Sequence, residues 1–195
     1  MSWEMVGKRM GKILILFSLF LPKAFSFSDS DLWLQHGLQF HQSMDSDNQS
    51  VVFNNTFIGI TLSHYFVFGQ NIIYTTRRNT GESSSYSKGD FSFLELGPRV
   101  MVFFNPNRNL SLSINYNPYC RGNRKITGAA AQEVDGSSIN LNLSLQLSFW
   151  EKLYLGASLN YHSIQLKSGN ISGTETTIDE TYSYVFPAFE FSFRF

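Results

Sequence analysis

The chain has 195 residues, with 15 basic and 15 acidic side chains, 43% hydrophobic and 16% aromatic residues, and one cysteine. That size makes one domain, the balanced charge argues against a general nucleic-acid binder, and a lone Cys120 makes no internal disulfide. Stability must therefore come from packing and hydrogen bonding.

At the N-terminus, Lys8, Arg9 and Lys12 precede the apolar run 13–21, and Ala24-Phe25-Ser26 supplies small residues at signal-peptidase spacing. The run falls short of the roughly 20 residues that a helix needs to cross a bilayer. Residues 1–26 are predicted to be a cleavable signal peptide, with Met10 as an alternative start, and 27–195 the mature domain. Removing the four basic and one acidic side chains of 1–26 leaves 11 basic and 14 acidic, a net charge of −3. Cys120 lies too far from the leader to carry a lipid anchor. No later apolar run is long enough for a helical span, so membrane residence has to be argued from strands.

The mature sequence alternates apolar and polar residues with the period of two that marks β-strands. In chain order, Leu32, Leu34, Leu38 and Phe40 oppose Gln35, Gly37, Gln39 and His41, with His36 breaking the apolar face. Next, Ile58, Ile60 and Leu62 oppose Gly59, Thr61 and Ser63. The segment 66–75 is the least regular, because Gln70 falls on the face of Phe66, Phe68, Ile72 and Tyr74. A bulge or altered register is expected there. Leu94, Leu96, Pro98, Val100 and Val102 then oppose Glu95, Gly97, Arg99 and Met101. Leu110, Leu112, Ile114 and Tyr116 oppose Ser111, Ser113, Asn115 and Asn117. In 139–149, Ile139, Leu141, Leu143, Leu145, Leu147 and Phe149 alternate with Asn140, Asn142, Ser144, Gln146 and Ser148. After Lys152 come Leu153, Leu155, Ala157, Leu159 and Tyr161 against Tyr154, Gly156, Ser158, Asn160 and His162. The last strand, 181–195, puts Val185, Pro187, Phe189, Phe191, Phe193 and Phe195 on one face and Phe186, Ala188, Glu190, Ser192 and Arg194 on the other.

These are eight segments of about 10 residues, the length of a tilted strand crossing the apolar layer. An even number closed on itself leaves no unpaired edge in lipid. The connections Ser63-His64-Tyr65, 105–109 and Trp150-Glu151-Lys152 are tight, whereas 42–50, 77–90, 120–137 and 167–180 are long and polar. Short turns alternating with long loops, periplasmic and external respectively, are the pattern of a transmembrane barrel. Trp33, Tyr65, Phe103, Phe104, Trp150 and Phe195 are predicted for one aromatic belt, and Tyr74, Phe91, Tyr119 and Tyr161 for the other. A secreted β-sandwich or lipocalin-like barrel also alternates, but it buries its apolar face and leaves most polar residues outside.

The terminal aromatic after Phe191 and Phe193 resembles the C-terminal strand of bacterial outer-membrane β-barrels, where that ending is the assembly signal. Nearly the whole mature chain resembles the small eight-stranded barrels of the outer membrane protein A transmembrane-domain type. The resemblance implies an all-β, up-and-down, monomeric transmembrane barrel in the outer membrane, in contact with lipid and lipopolysaccharide. It also implies recognition by the barrel-assembly machinery through Phe191, Phe193 and Phe195. That family includes adhesins, anchors, narrow channels and lipid-modifying enzymes, so the fold does not deliver the function.

A barrel of eight strands is just wide enough to be filled by side chains. The inward charges are Glu95, Arg99, Glu190 and Arg194, with His41 and His162, and each acid stands four residues before a base. Paired charges offset desolvation that isolated ones cannot, so a salt-bridged plug is expected. The other reading is a gate in a narrow conduit. A lipid A deacylase of this fold resembles a His-x-Ser pattern with a downstream Glu, which would make Glu175 a candidate. Here Ser163 directly follows His162 and points to the opposite face. His64 reads as a polar rim residue. No catalytic, cofactor-binding or metal-binding set emerges. Arg77, Arg78, Arg121, Arg124 and Lys125 lie toward the outer rim, where they are placed to meet lipopolysaccharide phosphates. The reading is a structural or surface-interaction protein; the alternatives are a narrow channel and a lipid A-modifying enzyme.

Overall fold

The computed structural model of the chain describes residues 32–42, 49–79, 89–126, 130–171 and 173–195. The expected signal peptide and the side chain of His41 lie outside the described set. Eight strands follow in chain order: β1 (Leu32–Gln42), β2 (Gln49–Ser63), β3 (Phe66–Asn79), β4 (Gly89–Phe103), β5 (Leu110–Ile126), β6 (Gln132–Ser148), β7 (Leu153–Ile171) and β8 (Thr174–Arg194). Each pairs antiparallel with its sequence neighbours, and β8 returns to β1 to close the ring.

The three tight turns fall where the sequence places them, and two of them are tied to one another. In the β6–β7 turn, the amides of Phe149 and Trp150 donate to the Leu153 carbonyl at 2.9 and 3.1 Å. In the β4–β5 turn, Arg108 adopts a positive φ of 52° and its Nε donates to the His64 carbonyl of the β2–β3 turn at 2.9 Å. His64 is thus an exposed turn residue.

Of the long connections expected, 42–50 and 77–90 are trimmed at their ends, whereas 120–137 and 167–180 are mostly strand, because β5 to β8 run on through them; β8 is 21 residues long. The reason is a reversal of polarity. Along β7, Leu159 and Tyr161 face outward, but beyond them Ile164 and Leu166 are buried inside while Gln165 and Lys167 are exposed. β8 does the same, with Val185 outside and Phe186 and Tyr182 inside. So does β4, with Leu94 outside and Phe91 and Phe93 inside. Where the strands leave lipid for water, the apolar face must turn from exterior to interior. The upper interior becomes a hydrophobic core of Phe91, Phe93, Cys120, Val134, Ile164, Leu166 and Tyr182.

Two prolines mark irregularities. The β4–β5 register shifts between Leu96 and Arg99, across Pro98, and the β5–β6 register shifts between Asn117 and Cys120, across Pro118. A residue without an N–H cannot complete a ladder, so bulges fall there. The second bulge moves the inward phase of β5 from Asn117 to Cys120 and Arg124. Gly97 lets β4 and β5 approach at the first: a Cβ there would lie 2.0 Å from the Tyr116 carbonyl oxygen. Around Gln70, by contrast, β3 runs without the expected irregularity, in register with Ile58 and Pro98. The exposed Gln70 turns its amide onto its own backbone, with Nε2 donating to the Asn71 carbonyl at 3.3 Å.

The closing seam is the shortest ladder. β1 and β8 pair over six positions, from Trp33↔Arg194 to Leu38↔Phe189. The reciprocal bonds of Leu32 and Phe195 show that alternate residues of β8, counting back from Phe195, aim their backbone at β1. Pro187 occupies the next such position with no N–H to give, and the pairing stops before it.

Candidate functional site in the barrel lumen

All four charges expected inside are on inward positions, but each finds its own set of partners. Glu190 accepts from Gln35 Nε2 at 2.7 Å, Asn142 Nδ2 at 2.7 Å, Gln146 Nε2 at 3.3 Å and the Ser144 hydroxyl. Glu95 takes His162 Nε2 at 3.1 Å, Asn117 Nδ2 at 3.4 Å and the Ser138 hydroxyl. Arg99 donates to Ser113 Oγ at 2.9 Å and Asn142 Oδ1 at 3.3 Å, and its guanidinium lies 4.9 Å over the Phe57 ring. Arg194 is sandwiched 3.9 Å over Trp33 and 3.4 Å over Tyr154, and donates to the Arg108 carbonyl at 2.7 Å.

The carboxylates are therefore solvated mainly by amides and hydroxyls, in place of the direct ion pairs the four-residue spacing suggests. Residues i and i+4 on one strand point the same way but stand some 13 Å apart, too far for contact, while neighbouring strands bring partners within reach. Gln35, Asn117, Asn142 and Ser144 were legible only as polar inward positions, and Ser138 fell just outside the expected strand. The register that aims them at Glu95 and Glu190 is a tertiary fact.

This polar layer is bounded above and below. On the side of the tight turns, Trp33, Phe57, Val67, Met101 and Phe103 form a buried cluster, with Arg194 stacked on it. On the other side lie Phe53, Ile73 and Phe186, and then the upper core. Trp33, Phe103 and Phe91, expected in the aromatic belts, are thus interior residues. Their strand parity puts them inside, and parity outweighs proximity to a strand end. Tyr65, Phe104, Trp150 and Phe195, and Tyr74, Tyr119 and Tyr161 at the other rim, are exposed as expected. Between the seals, both side-chain atoms of Asn71 and Asn140, with Asn55 Oδ1 and Asn115 Oδ1, are buried without a protein partner. Buried amides of this kind are normally satisfied by internal water.

The rim bases differ from the expectation as well. Arg77 is buried against Tyr184, with Nη1 donating to its hydroxyl at 3.3 Å. Arg124 points inward and pairs with Glu180 at 2.8 Å, and Arg121 pairs with Asp135 at 2.7 Å. Arg78 and Lys125 remain exposed, in register with Asp90 between them.

Burial raises the energy of the Glu180 carboxylate, but the Tyr182 hydroxyl and Arg124 outweigh it and hold Glu180 below the usual carboxylate range. A carboxylate depressed in the folded state stabilises it above the unfolded pKa, and that contribution fades as pH falls through the folded value. Glu180 is 40% exposed, so solvent screens it. Glu180→Gln is expected to cost up to about 1 kcal/mol at pH 7, a cost that shrinks and then vanishes as pH falls through and below the usual carboxylate range, read from urea midpoints across pH.

Phe191 and Phe193 lie on the last strand and Phe195 directly follows it, with ring centroids 6.4 Å apart for the first pair and 6.3 Å for the second. Ser163 bonds Ser183 at 2.9 Å on the outer surface while His162 is fully buried, so the two share no site.

A closed, even-numbered ring of antiparallel strands, apolar outside and polar within, is the architecture of a small transmembrane β-barrel of the bacterial outer membrane. That is the class of this protein. No family model matches the sequence, and no curated protein matches it. Among solved structures, the chain is similar to Neisserial surface protein A at 11% identity, over 85% of this chain and 96% of that one, with a TM-score of 0.49. It is also similar to Ail, the attachment invasion locus protein of Yersinia pestis, at 14% identity over 85% and 97%, TM-score 0.46. A second structure of Ail, in complex with the heparin analogue sucrose octasulfate, is 12% identical over 85% and 97%, TM-score 0.46. The chain's own strand closure and polarity define its class.

Proposed function

We propose that the protein is a monomeric outer-membrane barrel with a structural or surface-interaction role, a lumen that does not conduct, and no catalytic activity. The observation that carries this reading is the double seal: buried aromatic and aliphatic clusters lie both above and below the polar layer. Residues 1–26 act as the export signal, and Phe191, Phe193 and Phe195 present the last strand to the assembly machinery. The strands that continue past the apolar band carry a polar exterior into the surroundings, offering a rigid surface for partners. Arg78 and Lys125 face outward beside that band, where lipopolysaccharide phosphates lie.

The narrow-channel reading draws on the unpartnered amides of the middle layer, which suit internal water, but conduction would require both seals to open. The refolded barrel, verified by its heat-dependent gel shift, is expected to give no unitary current steps in a planar bilayer. Reproducible steps that change with Arg99→Ala would overturn the proposal in favour of a channel. A change in lipid A mass that depends on the protein would overturn it in favour of an enzyme.

A further inference from the structure

Where the β1–β8 ladder ends, a cavity of about 110 Å³ opens beside the seam. Gln39 of β1 lines one side of the gap, and Tyr184, Val185 and Phe186 of β8 line the other. Behind them stand Val51, Phe53, Thr75 and His162. The walls are largely apolar, but the floor is not. His162 is fully buried, its ring edge-on to Phe53 with centroids 5.5 Å apart, and its Nε2 is committed to Glu95 at 3.1 Å. Its Nδ1, on the other side of the ring, has no partner, and neither do Thr75 Oγ1 and Gln39 Oε1.

Three buried polar atoms of residues lining one small cavity need a ligand or water, since leaving them bare costs free energy at each. Their chemistry selects the ligand. In the neutral imidazole that gives its Nε2–H to the Glu95 carboxylate, Nδ1 presents a lone pair, as does Gln39 Oε1. A group bearing only acceptors, such as a ketone or carboxylate, would meet these lone pairs unfavourably. A hydroxyl donates to Nδ1 and accepts from Thr75.

The volume selects the rest. Ligand pockets usually measure about 300–1,000 Å³, so this cavity holds only a short piece of a larger molecule. The remainder must lie outside, and the lining residue on the outer face is Val185, 68% exposed on the lipid-facing row of β8. The open edge beyond Phe189, which Pro187 leaves unpaired, provides the way in.

We infer that the β1–β8 seam is a lateral binding site for a hydroxylated acyl chain of an outer-leaflet lipid, with the chain hydroxyl on His162 Nδ1 and the alkyl portions against Phe53, Phe186 and Val185. The site adds a lipid ligand to the surface role proposed above and stands whether or not the lumen conducts.

The test uses the full-length mature barrel in detergent micelles with ¹⁵N-labelled imidazoles; the chain has four histidines, so their resonances are few. Titration with 3-hydroxytetradecanoate is expected to shift the His162 Nδ1 resonance, with an apparent affinity about tenfold above that of tetradecanoate. Val185→Trp, which places a bulky ring at the mouth without touching the His162–Glu95 pair, is expected to abolish the shift while keeping the heat-dependent gel shift of a folded barrel. Equal responses to the two chains, no response to either, or a full response in Val185→Trp would each overturn the inference. So would a shift given by 1-butanol and not by the hydroxylated chain, which would mean that the cavity takes a small free alcohol instead of a lipid.

Discussion

Glu190→Ala is expected to lower the unfolding free energy of the barrel by about 3–5 kcal/mol, the cost of breaking a buried charged network from one side. The carboxylate gathers donors from two distant stretches of chain, Gln35 on β1 and Asn142, Ser144 and Gln146 on β6; its removal takes the acceptor from Gln35, Ser144 and Gln146 inside the lumen and leaves Asn142 Nδ2 with Asn160 alone. It also deprives the buried Arg99 of the negative charge that acts on it across the lumen. Water can recover part of this loss in the space that the side chain vacates. Glu190→Gln keeps the shape and one acceptor oxygen, but aims an NH₂ at groups that are themselves donors, so about 1–3 kcal/mol is expected. Urea titrations followed by tryptophan fluorescence give both values. A Glu190→Ala barrel as stable as the parent would show that the network is ornamental.

Trp33→Ala should have an effect of similar size for a different reason. Trp33 is fully buried in the lower seal, packed 5.1 Å from the Phe103 ring and covered by Arg194. Truncating a buried tryptophan generally costs about 3–5 kcal/mol, because neighbours collapse only partly into the space. Here the loss of the cation–π stack adds to it. Trp33→Phe keeps most of the packing and removes an indole N–H that has no partner, so it is expected to cost about 1–2 kcal/mol. Equal losses for the two variants would mean that the indole nitrogen, and not the volume of the ring, matters in the seal.

The strands within lipid were legible in the sequence because one environmental rule holds along them. Leu141, Leu143 and Leu145 face hydrocarbon while Asn140, Asn142 and Ser144 face the lumen, and a period of two records it. The same period continues past Tyr161 into Ile164 and Leu166, but shifted by one residue. A shift of phase looks like the end of a strand when the exterior is assumed to be lipid throughout. That is why 120–137 and 167–180 read as loops when most of their residues extend the sheet. The interior charges could be placed by parity alone. Their partners could not, because only the register between strands brings Ser138 to Glu95 and Gln35 to Glu190. The seam was hidden for a similar reason: Pro187 reads as one more apolar residue until Phe195 fixes which neighbour its backbone faces.

A single barrel thus exchanges an apolar exterior for an apolar interior as it leaves the membrane. Single cysteines along β7, in a Cys120→Ser background, test it most directly with a membrane-impermeant maleimide applied to proteoliposomes. Cysteines at Gln165 and Lys167 should be labelled rapidly, whereas those at Leu159, Ile164 and Leu166 should stay protected, the first by lipid and the others by the upper core. Labelling at Ile164 or Leu166, or labelling at Leu159 as fast as at Gln165, would contradict the account.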